Sequence, residues 1–329
     1  MRDILKGYKI FNIDPKKSRD NNFYKNALEY RRYIMGLFTN AVRKPNEFKC
    51  ILCGGKEGFE FLKYKDYFLF ECQTCGMVSP NVNLELVDEK KVYDSDTALE
   101  DVKNDVINNY EYRKKIYATE RLNYILEKIK IPKNEINLLD VGCGPGYFLD
   151  HLQDKGIKYK GLELADFLVD ICREKKLNVA KSDLENEPNN HYNIITLFDV
   201  LEHLRDPIKM FKMLNEKLVS GGFVLAYTPN IHSLSFVLQE GRQNNIYPFI
   251  HLCFFDKKSL DYLAVKTGFE VYSIDYYGLD VVDYLSMKVY DDNYDYLEKL
   301  KDFIPLMQAV IDKQKISSHQ RIVFKKVNR

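Results

Sequence analysis

No stretch of about 18 consecutive apolar residues occurs in this 329-residue chain, so none of its helices is expected to span a bilayer. The opening residues, Met1 to Asp20, are too polar and too charged for a secretory signal. A cytoplasmic protein with no membrane span is the expectation. Internal repeats and low-complexity tracts are absent. Net charge is nearly absent too: 49 Lys/Arg stand against 48 Asp/Glu, a balance of +1. That argues against an extended phosphate-binding surface. The charge is nevertheless uneven. Residues 1–49 carry 12 basic against 5 acidic groups, and the remainder 37 against 43. A basic segment can touch nucleic acid or a membrane surface. The plainer account is a solvated helix face, or one packed on acidic neighbours.

With 45% apolar and 29% charged residues, the composition is that of an ordinary soluble globular protein. The length suits one full α/β domain plus an extra module. Residues 1–49 read as a basic, helical segment, with Tyr24, Leu28, Met35 and Phe38 at roughly helical spacing over Phe23–Val42. Residues 50–80 form a cysteine-framed module. Its interior runs, Phe59 to Tyr64 and Tyr67 to Glu71, are aromatic and β-forming and so read as short strands. Residues 81–130 read as a linker, charged and helical from about 98. From 131 to 329 short apolar runs alternate with amphipathic stretches. Strands are expected over Ile136–Val141, Tyr159–Leu164, Asn178–Lys181, Tyr192–Phe198, Gly222–Tyr227 (opened by Gly221-Gly222), Phe269–Asp275 and Gln320–Lys326. Helices are expected through Leu152 and over Phe167–Lys175, Pro207–Leu218 and Ser259–Thr267. That alternation predicts an α/β fold, a parallel sheet with helices on both faces, with a helical, net acidic insertion over about 277–319.

The densest signal is Leu138-Leu-Asp-Val-Gly-Cys-Gly-Pro-Gly-Tyr-Phe-Leu. A buried strand delivers Asp140, and Gly142, Gly144 and Gly146 then turn the chain into a helix. Glycine permits positive φ and close backbone approach to a ligand, and the helix N-terminus favours an anionic group. A dinucleotide fingerprint would need glycine where Tyr147 stands. A phosphate loop would need Gly-Lys-Ser/Thr, which is absent. The run DxGxGxG resembles motif I of class I S-adenosylmethionine-dependent methyltransferases. Further residues match that family in order: Glu163 closing the second strand, Asp183 in Lys181-Ser-Asp-Leu, and Phe198-Asp-Val-Leu-Glu-His-Leu with Asp199. The resemblance covers about residues 115–275. It implies a Rossmann-like seven-stranded sheet that binds S-adenosyl-L-methionine through Asp140, Gly142, Gly144, Gly146, Glu163, Asp183 and Asp199. It places Glu163 on the ribose hydroxyls, which two carboxylate oxygens can accept from together, and Asp183 near the adenine amine.

Seven cysteines are present. Cys50-x2-Cys53 is followed after 18 residues by Cys72-x2-Cys75, spacing that fits a structural Zn2+ site. Each pair would make a knuckle with two thiolates on the metal, and Gly54 and Gly76 suit the knuckle turns. Such a site contributes folding energy rather than chemistry. Cys143, Cys172 and Cys253 read as small buried hydrophobes. The module looks like a zinc ribbon. Ribbon followed by methyltransferase resembles bacterial enzymes of sugar and surface-polysaccharide biosynthesis, including sugar-nucleotide C-methyltransferases. This chain is shorter at its C-terminus than those, and oxygen is the favoured acceptor atom.

A sugar hydroxyl needs a base to lose its proton, and histidine is the natural candidate. Of six histidines, His151 falls on the helix after the glycine turn, and His191 and His319 in polar loops; all three are expected to be solvated. His203 follows Glu202 at the ligand-binding edge of the sheet. His232 and His251 flank the stretch after the fifth strand, which in similar proteins covers the substrate. His251 is the first choice as base and His203 the second, with Tyr227, Asn230 and Tyr247 as weaker candidates for orienting substrate. The partner is a small-molecule acceptor, a sugar or sugar nucleotide; a homo-oligomer is left open. Two rivals stand beside this. One is an RNA methyltransferase that uses the ribbon and the basic segment for recognition. The other is a non-catalytic binding protein that retains the fold.

Overall fold

The computed structural model describes residues 7–19, 22–88, 91–92 and 108–327. Within these residues the chain divides into two compact units. The first draws on Met1–Asp101, Pro229–Ser259 and Asp275–Gln320, and the second on Val102–Thr228, Leu260–Ile274 and Arg321–Arg329.

The second unit is built on a seven-stranded sheet. Its strands are β4 (Asn137–Val141), β5 (Lys158–Leu162), β6 (Val179–Ala180), β7 (Tyr192–Phe198), β8 (Leu218–Pro229), β9 (Phe269–Tyr276) and β10 (His319–Lys326). They lie in the order β6-β5-β4-β7-β8-β10-β9. The pairs β4–β5, β5–β6, β4–β7 and β7–β8 are parallel. The last pair differs: Tyr277 N–H donates to His319 C=O and Val327 N–H to Gly268 C=O, so β9 and β10 run antiparallel. The sheet is therefore mixed, where strand–helix alternation alone predicted a parallel one. From β4 the chain builds outward to β6, then returns to place β7 on the other side of β4. At such a switch point ligands bind against the C-terminal strand ends. The glycine turn and Asp199 leave β4 and β7 there.

The core of this unit packs Ile125, Leu138, Phe148, Leu149, Leu152, Ile194, Leu225 and Val323. The expected helix over 98–130 is described from residue 108 and runs to Ile129, with a π turn over Lys114–Ala118; its earlier part lies outside the described residues. The fifth strand is longer than expected. It starts at Leu218, so Gly221 and Gly222 lie inside β8. Gly221 takes φ +70°, in the stretch where the pairing with β7 slips between Tyr192 and Ile194. The glycine pair marks an irregularity within a strand, not its start.

The first unit contains an antiparallel sheet of β1 (Gly58–Tyr64), β2 (Tyr67–Cys72) and β3 (Val78–Pro80), as the aromatic runs of the cysteine module predict. Helix Phe23–Leu37 buries Tyr30, Ile34 and Met35 with Tyr67, Val78, Phe236 and Phe254. The acidic stretch after β9 is helical over Asp280–Asp292, Tyr296–Lys299 and Ile304–Lys313. Its carboxylates receive the basic N-terminal segment. Lys16 lies 2.8 Å from Asp295 and 3.6 Å from Glu298, and Arg19 lies 2.9 Å from Asp283. The charge asymmetry of the sequence is thus partly cancelled inside one unit.

Candidate functional site

At the end of β4 the three glycines all take positive φ: Gly142 +71°, Gly144 +57° and Gly146 +83°. Their surroundings differ. A Cβ on Gly142 would meet Val200 at 2.7 Å, and one on Gly146 would meet Leu177 at 2.5 Å, whereas one on Gly144 would meet nothing within 4 Å. Gly142 and Gly146 are glycine for packing as well as conformation. Gly144 faces open space, as a backbone that a ligand approaches should. Its N–H donates to Glu163 Oε2 at 2.9 Å. Glu163, the first residue past β5, also accepts from the N–H groups of Leu164 at 2.7 Å and Ala165 at 2.9 Å through Oε1. Each carboxylate oxygen has two lone pairs, so Oε1 is filled and Oε2 keeps one acceptor site for a ligand's hydroxyl.

Asp140 plays a different part. It is 2% exposed and accepts from Thr196 Oγ1 at 2.6 Å. Burial pushes its carboxyl up to about 7 against that hydrogen bond. It ties β4 to β7 below the turn. Asp183 is exposed at the start of the short 3-10 turn Leu184–Asn186. Asp199 takes φ +59°, a conformation rare outside glycine and often found at functional positions.

Asp199 has a partner that sequence reasoning missed. Arg121, on the helix before β4, reaches it at 3.2 Å, with its guanidinium 4.3 Å from the Phe198 ring and 5.3 Å from Tyr147. Tyr147 opens the helix after the glycine turn. A largely buried cation therefore lies beside the side chain that opens this helix. Its sequence signal was weak, one arginine in an amphipathic helix. Tyr227, at the end of β8, is buried with its hydroxyl unpartnered and its ring 4.8 Å from Arg321. Glu202 is buried and accepts from Thr228 Oγ1 at 3.1 Å; burial holds its carboxyl well above the usual range. His203 beside it is half-buried.

His151 is a correction. It was expected to be solvated but is 8% exposed, with burial lowering its basicity. It shares the inner face of its helix with Phe148, Leu149 and Leu152. His319 opens β10 rather than lying in a loop, and is half-buried. His191 is exposed as expected. Cys143, Cys172 and Cys253 are buried.

In the first unit the four sulfurs of Cys50, Cys53, Cys72 and Cys75 lie within 4.8 Å of one another. Cys50–Cys75 and Cys53–Cys72 are each 3.5 Å apart. A tetrahedron with metal–sulfur bonds of about 2.3 Å has edges of about 3.8 Å, and the spacing of the quartet is compatible with a zinc ion. Gly54 and Gly76, at φ +72° and +75°, close the knuckles. Gly54 N–H donates to Cys50 C=O and Gly76 N–H to Cys72 C=O, both at 2.9 Å.

His251 is half-buried, its Nδ1 2.7 Å from the Asn245 carbonyl. A carbonyl only accepts, so Nδ1 carries the proton and Nε2 is the basic nitrogen. His232 is exposed, its ring 5.5 Å from Phe61. Asn230 is engaged structurally, donating to the Ser317 carbonyl at 2.9 Å and accepting from His232 N–H. The Tyr247 ring lies 5.4 Å from that of His251, tilted by 56°.

A family model described as a methyltransferase domain matches residues 110–274, half of the chain. A ubiquinone biosynthesis O-methyltransferase of Nitrosospira multiformis is 29% identical over 126 residues, covering 36% of this chain and 52% of that protein. One from Vibrio cholerae is 30% identical over 126 residues, covering 36% and 51%. The chain thus spans about half the length of the curated relatives it matches. Among solved structures, a SAM-dependent methyltransferase from Archaeoglobus fulgidus is 21% identical with a TM-score of 0.47, covering 67% of this chain and 98% of that one. The plantazolicin methyltransferase BpumL with SAH is 16% identical with a TM-score of 0.45, covering 72% and 93%.

Proposed function

This chain belongs to the methyltransferase-domain family, and on that premise we propose that it methylates an oxygen of a small molecule, using S-adenosyl-L-methionine. The observation that carries the reading is the open face of Gly144 with Glu163 bonded to its N–H. S-adenosylmethionine supplies an electrophilic methyl group when bound. Arg121 and the helix N-terminus at Tyr147 would hold its carboxylate. Glu163 would accept from a ribose hydroxyl, and Asp183 would stand near the adenine amine. Asp140 and Asp199 would fix the turn and Arg121. Displacement at a sulfonium methyl is in-line, so positioning supplies much of the rate. His251, with Nε2 as the basic nitrogen, is the proposed general base, and His203 the second candidate.

The proposed acceptor is a hydroxyl of a sugar or sugar nucleotide, the chemistry of surface-polysaccharide biosynthesis. What supports it is a four-cysteine module ahead of this sheet. The relatives' names favour oxygen but are tied to ubiquinone biosynthesis, so an intermediate of that route is the second reading. A structural zinc on the cysteine quartet belongs to the proposal, and so does a reducing, cytoplasmic setting, where such thiols persist. No helix among the described residues is long and apolar enough to cross a membrane. The RNA reading loses support, because Lys16 and Arg19 of the basic segment are paired with carboxylates and Arg31 is buried. The test is turnover with a panel of nucleotide-linked sugars beside a ubiquinone-biosynthesis intermediate. Methylation of the latter alone would overturn the sugar reading.

A further inference from the structure

Arg31, on helix Phe23–Leu37, is fully buried, yet among the described residues no carboxylate compensates it. Its Nη2 donates to the Gln243 carbonyl, and the rings of Tyr247 and Tyr64 lie 5.5 and 5.7 Å from it. Its Nε and Nη1 meet no hydrogen-bond partner. Burial depresses its basicity, and only tyrosines oppose that effect. A buried charge left in this state is costly.

The amides around it are also unsatisfied. Gln239 lacks partners at both its oxygen and its nitrogen, Asn244 likewise, and Asn245 lacks one at Nδ2. All three are at least nine-tenths buried. Native proteins leave few such groups, and a cluster of them asks for an explanation. Gln243, by contrast, is used: Nε2 donates to Ser235 Oγ at 3.2 Å, and Oε1 accepts from Asn245 N–H. The unsatisfied groups therefore belong to Arg31 and to residues 239–245, the segment whose Gln243 carbonyl Arg31 bonds and in which the Asn245 carbonyl also holds His251.

We propose that Arg31, with Gln239, Asn244 and Asn245, forms an anion-binding subsite for a phosphate or carboxylate group of the methyl acceptor. This rests on the acceptor reading above and names what that acceptor must carry. A guanidinium offers five donors in a planar fork suited to either group. Primary amides add donors that turn toward the anion's oxygens and an acceptor for a neighbouring hydroxyl. A nucleotide-linked sugar meets this description through its diphosphate. The segment that carries Asn244 and Asn245 runs from Glu240 to Phe249, and both end residues take positive φ, +48° and +63°. Backbone strain at its two ends suits a segment that moves to admit a ligand.

The test uses the full chain, zinc-loaded, with inorganic pyrophosphate and succinate as separate probes and sodium chloride at matched ionic strength as control. Wild type should melt several degrees higher with the matching anion than with chloride. Pyrophosphate alone acting points to a phosphate, succinate alone to a carboxylate. Arg31→Met should melt higher than wild type without anion, because it removes an uncompensated charge, and should lose the anion's effect. Gln239→Leu should retain the fold and weaken anion binding about tenfold or more, the loss of hydrogen bonds to a charged group. A structural arginine would give the opposite signature: Arg31→Met melting lower, with the anion response of Gln239→Leu unchanged. That result, or no anion response in wild type, overturns the proposal. Calorimetry with S-adenosylhomocysteine on the same samples separates the two readings. Its failure would sink the methyltransferase reading, whereas normal binding without an anion response sinks only the subsite.

Discussion

Gly144 donates its backbone N–H to Glu163 at 2.9 Å, so the turn after β4 and the acid after β5 form one unit. The carboxylate that is expected to meet a ribose also holds the glycine turn in shape. Its remaining bonds to Leu164 and Ala165 N–H fix the start of the next helix.

Removing that carboxylate should therefore cost more than one ligand contact. Glu163→Ala is expected to weaken S-adenosylhomocysteine binding by roughly 1.5–3 kcal/mol, the range for hydrogen bonds to a charged group, and to loosen the turn as well. Gly144→Val should abolish binding. No atom of the described residues opposes its side chain, so the loss would come from the ligand's space and from a β-branched residue at φ +57°, a strain of about 1–3 kcal/mol. Calorimetry checks both, and unchanged affinity in either variant refutes the placement.

Asp140 gives a prediction about pH. Its buried carboxyl titrates near 7 in the fold and near about 3.9 in the unfolded chain. The folded state thus binds more protons between those values, and stability falls as pH rises through that window. Asp140→Asn removes the charge. It should change little at pH 4.5, then become stabilising relative to wild type by pH 8, by roughly 2–4 kcal/mol at most. Denaturant titration at the two pH values decides it. A gain equal at both would mean that burial does not set this carboxyl.

Much of this site was legible in the sequence because it is local. The order of Gly142, Gly144 and Gly146 after a buried strand predicts the turn without tertiary information, and the CxxC spacing likewise brings four sulfurs together. What escaped is non-local. Arg121 meets Asp199 across 78 residues, and nothing in Thr119–Ile129 distinguishes it from the other charged residues on that helix. His151 was misplaced because a histidine among Phe148, Leu149 and Leu152 looks polar in composition although it shares their face. The final strand's position between β8 and β9 depends on a return across the 277–319 insertion, and short-range alternation carries no trace of it.

The cysteine quartet should hold one zinc per chain. Elemental analysis of protein made without added metal should find about one equivalent, and chelation should unfold the β1–β3 module first. Cys72→Ser should lower zinc content and expose Met77, now 0% exposed beside the knuckle. Less than about half an equivalent, with all four thiols titrating, removes the zinc site from the account.

The base is the last and most demanding test. His251 presents its proton on Nδ1 to the Asn245 carbonyl at 2.7 Å, which leaves Nε2 as the nitrogen able to take a proton from an acceptor hydroxyl. His203 follows a buried Glu202, whose carboxyl burial raises well above the usual range. The first choice is therefore His251. His251→Ala should lower kcat by about 10²–10⁴-fold, the yield of a positioned base, while S-adenosylhomocysteine binds as in wild type. A loss through acceptor binding alone would instead raise KM and leave kcat unchanged. The acidic limb of the wild-type pH–rate profile should vanish in the variant. His203→Ala separates the two candidates: a small effect on kcat with the limb retained assigns the proton to His251. Full activity after removal of both histidines would show that the acceptor needs no base, and that catalysis rests on how the cofactor's methyl group and the acceptor oxygen are aligned.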